Sequence, residues 1–345
     1  MKGWSPTPFV RSLYERTLEQ AQVSISNSED ARRVRKEKLI EKLNPYPEVK
    51  PDLDPIVLER KDCGEYIRER IEIGTYDDLR MPIYVLIPKR APRQLPVVLA
   101  LHGHGYGSRS VAGLSADNQE EEVGTGIHKH FGVALARRGH LVIVPEILGF
   151  GDRRLDEDVS LPSKESSCFK LASYLLQMGK TLNGIRAYEL TRALDYGLSR
   201  AEAAGAKAAC MGLSGGAHLA YLTALLDDRI EAVVLSGYTN TFEHSLLAKQ
   251  HCLDDYIPGI MELGEMADII GLIAPRPLLL EAGRYDRSFP LPGVESAASR
   301  LKSIYEELGA SDRFGVHIFD GGHEVSGEVS YEWISRQFSG EAGNT

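Results

Sequence analysis

The chain has 345 residues, of which 43% are hydrophobic and 26% are charged, a composition typical of a soluble globular protein. Its formal net charge of −9 disfavours nucleic acid and anionic membrane surfaces as partners. The sequence has no run of about 18 uncharged apolar residues and no apolar signal-peptide centre at its N-terminus. The cysteines Cys63, Cys168, Cys210 and Cys252 form neither a Cys-x-x-Cys pair nor a disulfide framework. We therefore predict a cytoplasmic protein with no membrane partner and no nucleic-acid partner.

The first 50 residues are predicted to be helical. Thr7-Pro8 is a cap and first-turn signal, and a second helix is expected from Ser28 to Asn44-Pro45. This gives a helical N-terminal extension at residues 1–55, before one α/β domain at residues 56–345. Because this extension could cover a second subunit, a homo-oligomer is a possible partner arrangement. The basic cluster of the second helix is expected to be a solvated face, because acidic residues flank it; its members are Arg32, Arg33, Arg35, Lys36 and Lys38.

Strand patterns begin at residue 56. The stretches IVLERK, YIRERIEI and MPIYVLIP predict three antiparallel strands. From Leu95 onward, apolar strands alternate with helices, which predicts an α/β fold with a mostly parallel central sheet and helices on both faces. The expected strands are 95–101, 141–145, 206–212, 231–236, 276–283 and 314–319, and the expected helices are 129–138, 185–198, the segment after Gly216, 295–308 and 325–338. Residues 146–182 and 237–268 follow strands and are candidate lid or pocket insertions, since open α/β sheets bind ligands at this edge.

A Gly-x-Ser-x-Gly motif lies between one of these strands and its helix, as Gly212-Leu213-Ser214-Gly215-Gly216. A serine on such a turn is exposed at the sheet edge, and the glycines let the strand and helix approach each other. The amide of Gly215 and the helix N-terminus would favour developing negative charge beside the serine. We predict that Ser214 is a catalytic nucleophile; chance occurrence of the motif is the alternative.

A serine nucleophile needs a histidine base that is oriented by a carboxylate, in the chain order serine, acid, histidine. His323 follows the last predicted strand on a glycine-containing loop, whereas His317 lies within that strand. Asp286 lies in the loop just beyond the strand that ends at Gly283. Asp320 is the competing acid, although its place three residues before His323 suits a turn cap better. We predict His323 as the base and Asp286 as the acid.

The loop His102-Gly103-His104-Gly105 follows an early strand that should end near Ser214. Its His104 amide is the expected second oxyanion donor, beside that of Gly215. The alternative, a metal site at His102-x-His104 or His128-x-His130, is disfavoured because Asp-His does not follow the first pair. We predict no metal and no cofactor, since the glycine spacing also fits neither a P-loop nor a dinucleotide fingerprint. Candidate substrate-pocket residues, each with plain packing or turn capping as its alternative, are Tyr106, Glu146, Phe150 and Phe289.

These motifs give the chain a resemblance to the α/β-hydrolase superfamily over about residues 80–340. Within it, the chain resembles the bacterial branch of dienelactone-hydrolase-like and acetyl-xylan-esterase-like proteins. The stretches that carry the resemblance are HGHG, NGIRAYELTRALDYGL, YIPGI and DIIGLIAPRPLLLEAGRYDRSFP. The resemblance implies a triad of Ser214, Asp286 and His323. Ser214 replaces the cysteine nucleophile of dienelactone hydrolases, and Gly215 replaces the Gln of the cephalosporin-C deacetylase group.

The predicted function is hydrolysis of small acyl or acetyl esters by a serine mechanism, with a small-molecule ester as the partner. An oligopeptidase-like peptidase or amide hydrolase is the first alternative, although residues 1–80 are too few for a gating propeller. A binding module on the same scaffold is the second alternative, and the complete set of triad residue types argues against it.

Overall fold

A nine-stranded sheet forms the centre of the protein in a computed structural model, which describes residues 4–90, 94–203 and 207–339, without the side chains of residues 23 and 24. The strand order is β1-β2-β3-β5-β4-β6-β7-β8-β9. The strands are β1 (Ile56–Asp62), β2 (Tyr66–Tyr76), β3 (Leu79–Pro88), β4 (Val97–Leu101), β5 (Leu141–Pro145), β6 (Ala208–Leu213), β7 (Ile230–Ser236), β8 (Leu278–Gly283) and β9 (Phe314–Phe319). β1, β2, β3 and β5 pair antiparallel in succession, and the pairs from β5 through β4 to β9 are parallel. The predicted mostly parallel sheet with an antiparallel entry is confirmed.

Helices cover both faces of this sheet. They are α1 (Thr7–Ser24), α2 (Glu29–Leu43), α3 (Arg109–Ala112), α4 (Phe131–Arg137), α5 (Cys168–Gln177), α6 (Leu182–Ser199), α7 (Gly215–Leu226), α8 (Met266–Ile270), α9 (Leu291–Glu307) and α10 (Ser330–Ser339). Successive residues of a strand point to opposite faces, so Leu99 joins one buried cluster while Val98 and Ala100 join the other. Within the described residues, every helix is too short or too polar to cross a bilayer.

Several boundaries differ from the sequence predictions by a few residues. Thr7 begins α1 rather than capping it, and the residue in the cap position is Pro6. α9 begins at Leu291, because Pro292 fits its first turn. α10 begins at Ser330 rather than near Val325, because the buried Glu281 carboxylate accepts the amides of residues 326 and 327 and holds this segment outside a helix. The predicted first residue of β6, Ala206, lies outside the described residues.

The N-terminal helices pack onto the rest of the chain. Leu39 and Leu43 of α2 are fully buried in the larger core cluster. The expectation of a solvated basic face on α2 is wrong for two residues: Arg35 is buried, and Arg32 donates to the carbonyls of Gly271, Leu272 and Ala274. Their guanidinium groups satisfy backbone oxygens that would otherwise lack donors. The extension thus supports the segment that precedes β8.

The candidate insertions leave the carboxyl edge of the sheet. Residues 146–182 contain two short 3₁₀ turns and α5, and residues 237–268 contain two further 3₁₀ turns and the start of α8. α5 and the turn at Leu253–Asp255 contact each other. The two insertions therefore meet on the same side of the sheet.

Candidate active site

Ser214 lies on a strained turn between β6 and α7. Its φ of 56° and ψ of −125° place a non-glycine residue in a backbone region that L-residues rarely adopt. The Ser214 amide donates to the Ser236 carbonyl at 2.9 Å, which ties the turn to the end of β7. Among the described residues, the Ser214 hydroxyl has no hydrogen-bond partner, and the residue is half-buried. The turn therefore presents a hydroxyl toward solvent at the edge of the sheet.

The glycines of the motif permit a close crossing of backbone segments. A Cβ at Gly216 would lie 2.2 Å from the Leu101 carbonyl oxygen and 2.6 Å from that of His102. These distances are shorter than any van der Waals contact, so only glycine fits between α7 and the end of β4. A Cβ at Gly103 would likewise lie 3.1 Å from the Cβ of Ser214. The glycines thus allow the loop after β4 to pack directly against the serine turn.

Asp286 and His323 form a hydrogen-bonded pair. His323 Nδ1 lies 2.7 Å from Asp286 Oδ2, and the side chains are 25% and 1% exposed, respectively. The other carboxylate oxygen of Asp286 accepts the amides of Ser288 at 2.6 Å and Phe289 at 3.1 Å. These bonds fix the carboxylate, so that its second oxygen orients the imidazole.

The imidazole of His323 lies beside the serine turn. A Cβ at Gly237 would be 3.3 Å from His323 Nδ1 and 3.4 Å from the side chain of Leu213, the residue before Ser214. The ring of Phe289 stacks on His323 at 5.8 Å between centroids, with 21° between the planes. The Asp286–His323 pair therefore lies beside the turn that carries Ser214, at one edge of the sheet.

The competing residues point elsewhere. Asp320 is 79% exposed and pairs with Arg284, at 3.1 Å from Oδ1 to Nε. His317 lies on β9, where its Nε2 is 3.5 Å from a carboxylate oxygen of Glu328. Neither one shares a hydrogen bond with the Asp286–His323 pair.

Two buried histidines hold the peptide groups of Gly103. The Gly103 amide donates to Nε2 of His128 at 2.8 Å, and its carbonyl lies 2.8 Å from Nδ1 of His102. His102 Nε2 accepts the amide of Ile147 at 3.1 Å, which leaves the ring hydrogen on Nδ1. Burial lowers the pKa of His102, and burial together with the neighbouring histidines lowers the pKa of His128 to about 3. Both rings are therefore neutral at pH 7 and fix the backbone that leads to His104.

The amides of His104 and Gly215 are available at the site. Among the residues that the structure describes, neither amide has a hydrogen-bond acceptor. A Cβ at Gly215 would be 3.4 Å from Nδ1 of His104, so the two residues adjoin each other. Gly215 begins α7, and His104 lies in the loop after β4; amides at both places can stabilise an anion.

The side chain of His104 faces Asp254. Its Nε2 lies 3.3 Å from Asp254 Oδ1, and both atoms are buried without a hydrogen bond among the described residues. Burial opposes a charge on His104, but the interaction with Asp254, with Asp255 and Cys168 adding to it, outweighs burial and raises the pKa of His104 to about 9. His104 is therefore charged at pH 7, unlike His102 and His128.

A small pocket opens beside these residues. With the solvent space at its mouth, it has an empty volume of about 250 Å³. Phe150 lines it and stands edge-on to the rings of His102 and His104 at 5.3 and 5.1 Å. The remaining wall includes the charged residues Arg186 and Asp254.

The other candidate pocket residues have different surroundings. Phe289 lines a second pocket beside Asp286. Tyr106 is half-buried, and its hydroxyl is 3.4 Å from a Glu121 carboxylate oxygen. Glu146 is fully buried behind the loop after β4, where it accepts the amide of Ser108 at 3.0 Å and its hydroxyl at 2.6 Å. Of the four candidates, Phe150 and Phe289 line pockets, and Glu146 supports the backbone.

Sequence reasoning missed His128 and Arg186 as parts of the site. Arg186 is buried in α6 and donates to Asp254 and to the sulfur of Cys168. A buried arginine in a helix with otherwise apolar spacing was a signal that a carboxylate lies nearby. In the sequence, His128 was recognised only as part of the His128-x-His130 pair, and no sequence feature indicated that His128 would contact Gly103.

Comparisons with known proteins agree with this architecture. A model of the Abhydrolase family matches residues 26–317. YtaP of Bacillus subtilis (strain 168), assigned as a hydrolase, is 30% identical over 296 residues, which cover 82% of this chain and 92% of YtaP. A structure from Bacteroides fragilis NCTC 9343, assigned as an acetyl xylan esterase, has a TM-score of 0.81 at 16% identity and covers 98% of this chain and 96% of its own. A glucuronoyl esterase from Solibacter usitatus has a TM-score of 0.61 at 15% identity, over 87% and 89% of the two chains. The predicted α/β-hydrolase fold is confirmed.

Proposed function

Because the chain belongs to the Abhydrolase family, we propose that it is a serine esterase that cleaves small acyl esters through an acyl-enzyme intermediate. The observation that carries this proposal is the 2.7 Å hydrogen bond between Asp286 and His323, formed beside the strained turn of Ser214. Acetyl esters are the first substrates to test, because the pocket is small.

In the first half of the reaction, His323 acts as the base. Asp286 accepts the hydrogen of Nδ1, so Nε2 is free to take the proton of the Ser214 hydroxyl as the oxygen attacks the ester carbonyl. The C–O bond to the alcohol then breaks, and the alcohol leaves with the proton from His323. In the second half, His323 takes a proton from water as the water oxygen attacks the acyl-enzyme; the bond to Ser214 then breaks, His323 returns the proton to the Ser214 oxygen, and the acid is released.

The developing oxyanion needs fixed donors. The unpaired amides of Gly215 and His104 supply them, at the N-terminus of α7 and in the loop after β4. A single oxyanion donor is worth about 10²- to 10³-fold in turnover. The bonds from His102 and His128 to Gly103 support the orientation of the neighbouring His104 amide.

The test is replacement of Ser214 by alanine, assayed with p-nitrophenyl esters of graded acyl length, acetylated sugars and aminoacyl amides. We expect Ser214→Ala to lower kcat by about 10⁴-fold or more, and a fluorophosphonate to label wild-type Ser214 but not the variant. Wild-type-like turnover by the variant would exclude the serine mechanism. Faster cleavage of the amides than of every ester would replace the esterase with an amide hydrolase or peptidase.

A cytoplasmic location belongs to the same proposal. The described cysteines, Cys63, Cys168, Cys210 and Cys252, are free thiols, as is usual in a reducing compartment. Fractionation of the source cells should recover the protein with cytoplasmic markers, and recovery from the culture medium would contradict this location.

A further inference from the structure

Four side chains outside the proposed triad converge on one point behind the pocket. They are His104 in the loop after β4, Cys168 at the start of α5, Cys252 just before the turn at Leu253–Asp255, and Asp254 within that turn. One ligand atom from each, a nitrogen, two sulfurs and an oxygen, lies within 4.8 Å of all the others. We call these residues the His-Cys-Cys-Asp cluster.

We propose that the His-Cys-Cys-Asp cluster binds a Zn²⁺ ion with tetrahedral coordination. Imidazole, thiolate and carboxylate are the ligand types that zinc takes in proteins, and four protein ligands close the coordination shell. Soft thiolates favour Zn²⁺ over Mg²⁺ and Ca²⁺, which prefer oxygen ligands. This inference departs from the sequence-based expectation that the chain has no metal site.

The spacing of the atoms fits a tetrahedron around zinc. Two ligands that lie about 2.0–2.1 Å from zinc at a tetrahedral angle are about 3.3 Å apart, and two sulfurs at about 2.3 Å are about 3.8 Å apart. His104 Nε2 and Asp254 Oδ1 are 3.3 Å apart. The upper limit of 4.8 Å for all pairs admits the longer sulfur edges with small adjustments.

The hydrogen bonding of the cluster leaves these atoms available. Asp254 is 3% exposed, and its Oδ1 has no hydrogen-bond partner among the described residues; neither has Nε2 of His104. These two buried atoms face each other at 3.3 Å without hydrogen-bond geometry, so both remain available to a third group that binds between them. The other Asp254 oxygen, Oδ2, accepts from Arg186 at 2.5 Å, so the carboxylate is already oriented with Oδ1 toward the cluster.

Arg186 supplies the outer contacts that metal sites require. It also donates to the sulfur of Cys168 at 2.9 Å, and such bonds orient ligands and stabilise a thiolate. With zinc bound, two thiolates and the Asp254 carboxylate contribute three negative charges, and Zn²⁺ with the Arg186 guanidinium contributes three positive charges. His104 releases its Nε2 proton when it binds zinc as a neutral imidazole, so the buried site is then neutral, which limits its desolvation cost.

The cluster joins three segments of the chain. Its ligands come from the loop that carries the proposed oxyanion amide and from both insertions, 146–182 and 237–268. A closed four-ligand site has a structural role, because it leaves no coordination position for substrate. Zinc would thus fix the insertions and His104 relative to each other.

The test uses the full chain, reduced and then freed of reductant and metal, and titrated with Zn²⁺ and with Co²⁺ as a spectroscopic probe. We expect one Zn²⁺ per chain by mass spectrometry of the native protein. We also expect Co²⁺ to give the intense d–d bands of tetrahedral coordination and a thiolate charge-transfer band. These wild-type measurements need no variant, so they remain decisive if a variant fails to fold.

The matched variants are Cys252→Ser and Cys63→Ser, since both cysteines are partly buried and only Cys252 belongs to the cluster. We expect Cys252→Ser to weaken zinc binding by about 100-fold or more and to abolish the cobalt charge-transfer band of the second thiolate. Cys63→Ser should bind like the wild type. Equal zinc binding by the Cys252→Ser variant would overturn the proposal.

Two wild-type outcomes would also overturn the proposal. One is the absence of stoichiometric zinc together with an octahedral cobalt spectrum. The other is a Cys168–Cys252 disulfide that forms in air even with Zn²⁺ present, seen as a loss of two titratable thiols. None of these results depends on esterase activity, so they are separate from the test at Ser214.

Discussion

The loop after β4 and the loop after β9 both carry histidine beside glycine, but they hold it in opposite ways. In the first loop, His102 is fully buried, and with His128 it binds the backbone of Gly103. In the second loop, His323 is 25% exposed, and a carboxylate holds its Nδ1. At His102, burial outweighs the carboxylate of Glu146 at 3.8 Å and keeps the imidazole neutral. At His323, the bond from Nδ1 to a buried carboxylate leaves the other nitrogen of a partly exposed ring free to exchange protons.

This comparison shows that residue type and flanking glycines do not decide the role of a histidine. The partner and the exposure of the ring decide it, and both are set by tertiary contacts. Three predictions test this contrast. The first concerns the Asp286–His323 pair, in which the carboxylate orients the ring.

Replacement of Asp286 by asparagine should remove the hydrogen-bonded carboxylate that distinguishes the loop after β9 from the loop after β4. An amide no longer favours the tautomer in which Nδ1 carries the hydrogen, so we expect kcat/KM for the best ester to fall by about 10³- to 10⁴-fold. The matched control is Asp320→Asn, which breaks an exposed pair with Arg284 and should leave kcat/KM within about twofold. A large loss for Asp320→Asn with a small one for Asp286→Asn would reverse the acid assignment.

His128→Ala should show what the buried histidines contribute. It leaves the Gly103 amide without its acceptor, which we expect to cost about 1–3 kcal/mol of unfolding free energy. Displacement of the adjacent loop with the proposed oxyanion amide of His104 should also lower kcat by about 10²-fold, with a smaller effect on KM. His128→Gln is the comparison, since its amide oxygen can accept the same hydrogen bond; kinetics and urea unfolding measure both effects.

If His128→Gln were as inactive as His128→Ala, the ring itself, rather than its acceptor nitrogen, would be required. Unchanged kcat in both variants would separate the Gly103 backbone from catalysis.

Acid should lower the free energy of unfolding, because His128, which binds the loop after β4, resists protonation in the folded chain. The pKa of His128 is lowered to about 3 in the folded chain, from about 6.5 in an unfolded one. The unfolded state therefore binds more protons between these values, so stability falls as the pH falls below about 6.5, by about 2 kcal/mol at pH 5. Urea unfolding at pH 7 and pH 5 measures this loss, and His128→Gln should show less of it. An equal loss in the variant would assign the acid sensitivity to other groups, such as His140.

The sequence was sufficient to predict the sheet and the serine turn, because both have local signals. Continuous apolar runs such as Leu278–Gly283 are typical of buried parallel strands, and glycine spacing marks the turn at Ser214. The chain order serine, acid, histidine then left few candidate residues for the acid and the base. The geometry places Asp286 and His323 together, at 2.7 Å between the carboxylate and the ring nitrogen.

The His-Cys-Cys-Asp cluster could not be predicted in this way. Cys168 and Cys252 lie in different insertions, far apart in the chain, and no short spacing links them. Irregular segments have no period from which their mutual packing can be predicted. The buried position of Glu146 was missed for the same reason, since nothing in its neighbours shows that Ser108 needs an acceptor.

The backbone crossing at Gly216 has a consequence for the cost of each turnover. The turn of Ser214 and the end of β4 touch through main-chain atoms, with no side chain between them that could change rotamer. The position of the Ser214 backbone relative to the end of β4 is therefore fixed when the chain folds. In the proposed reaction, a carbonyl at Ser214 would meet amide dipoles that are already aligned, so little reorganisation free energy would remain to be supplied.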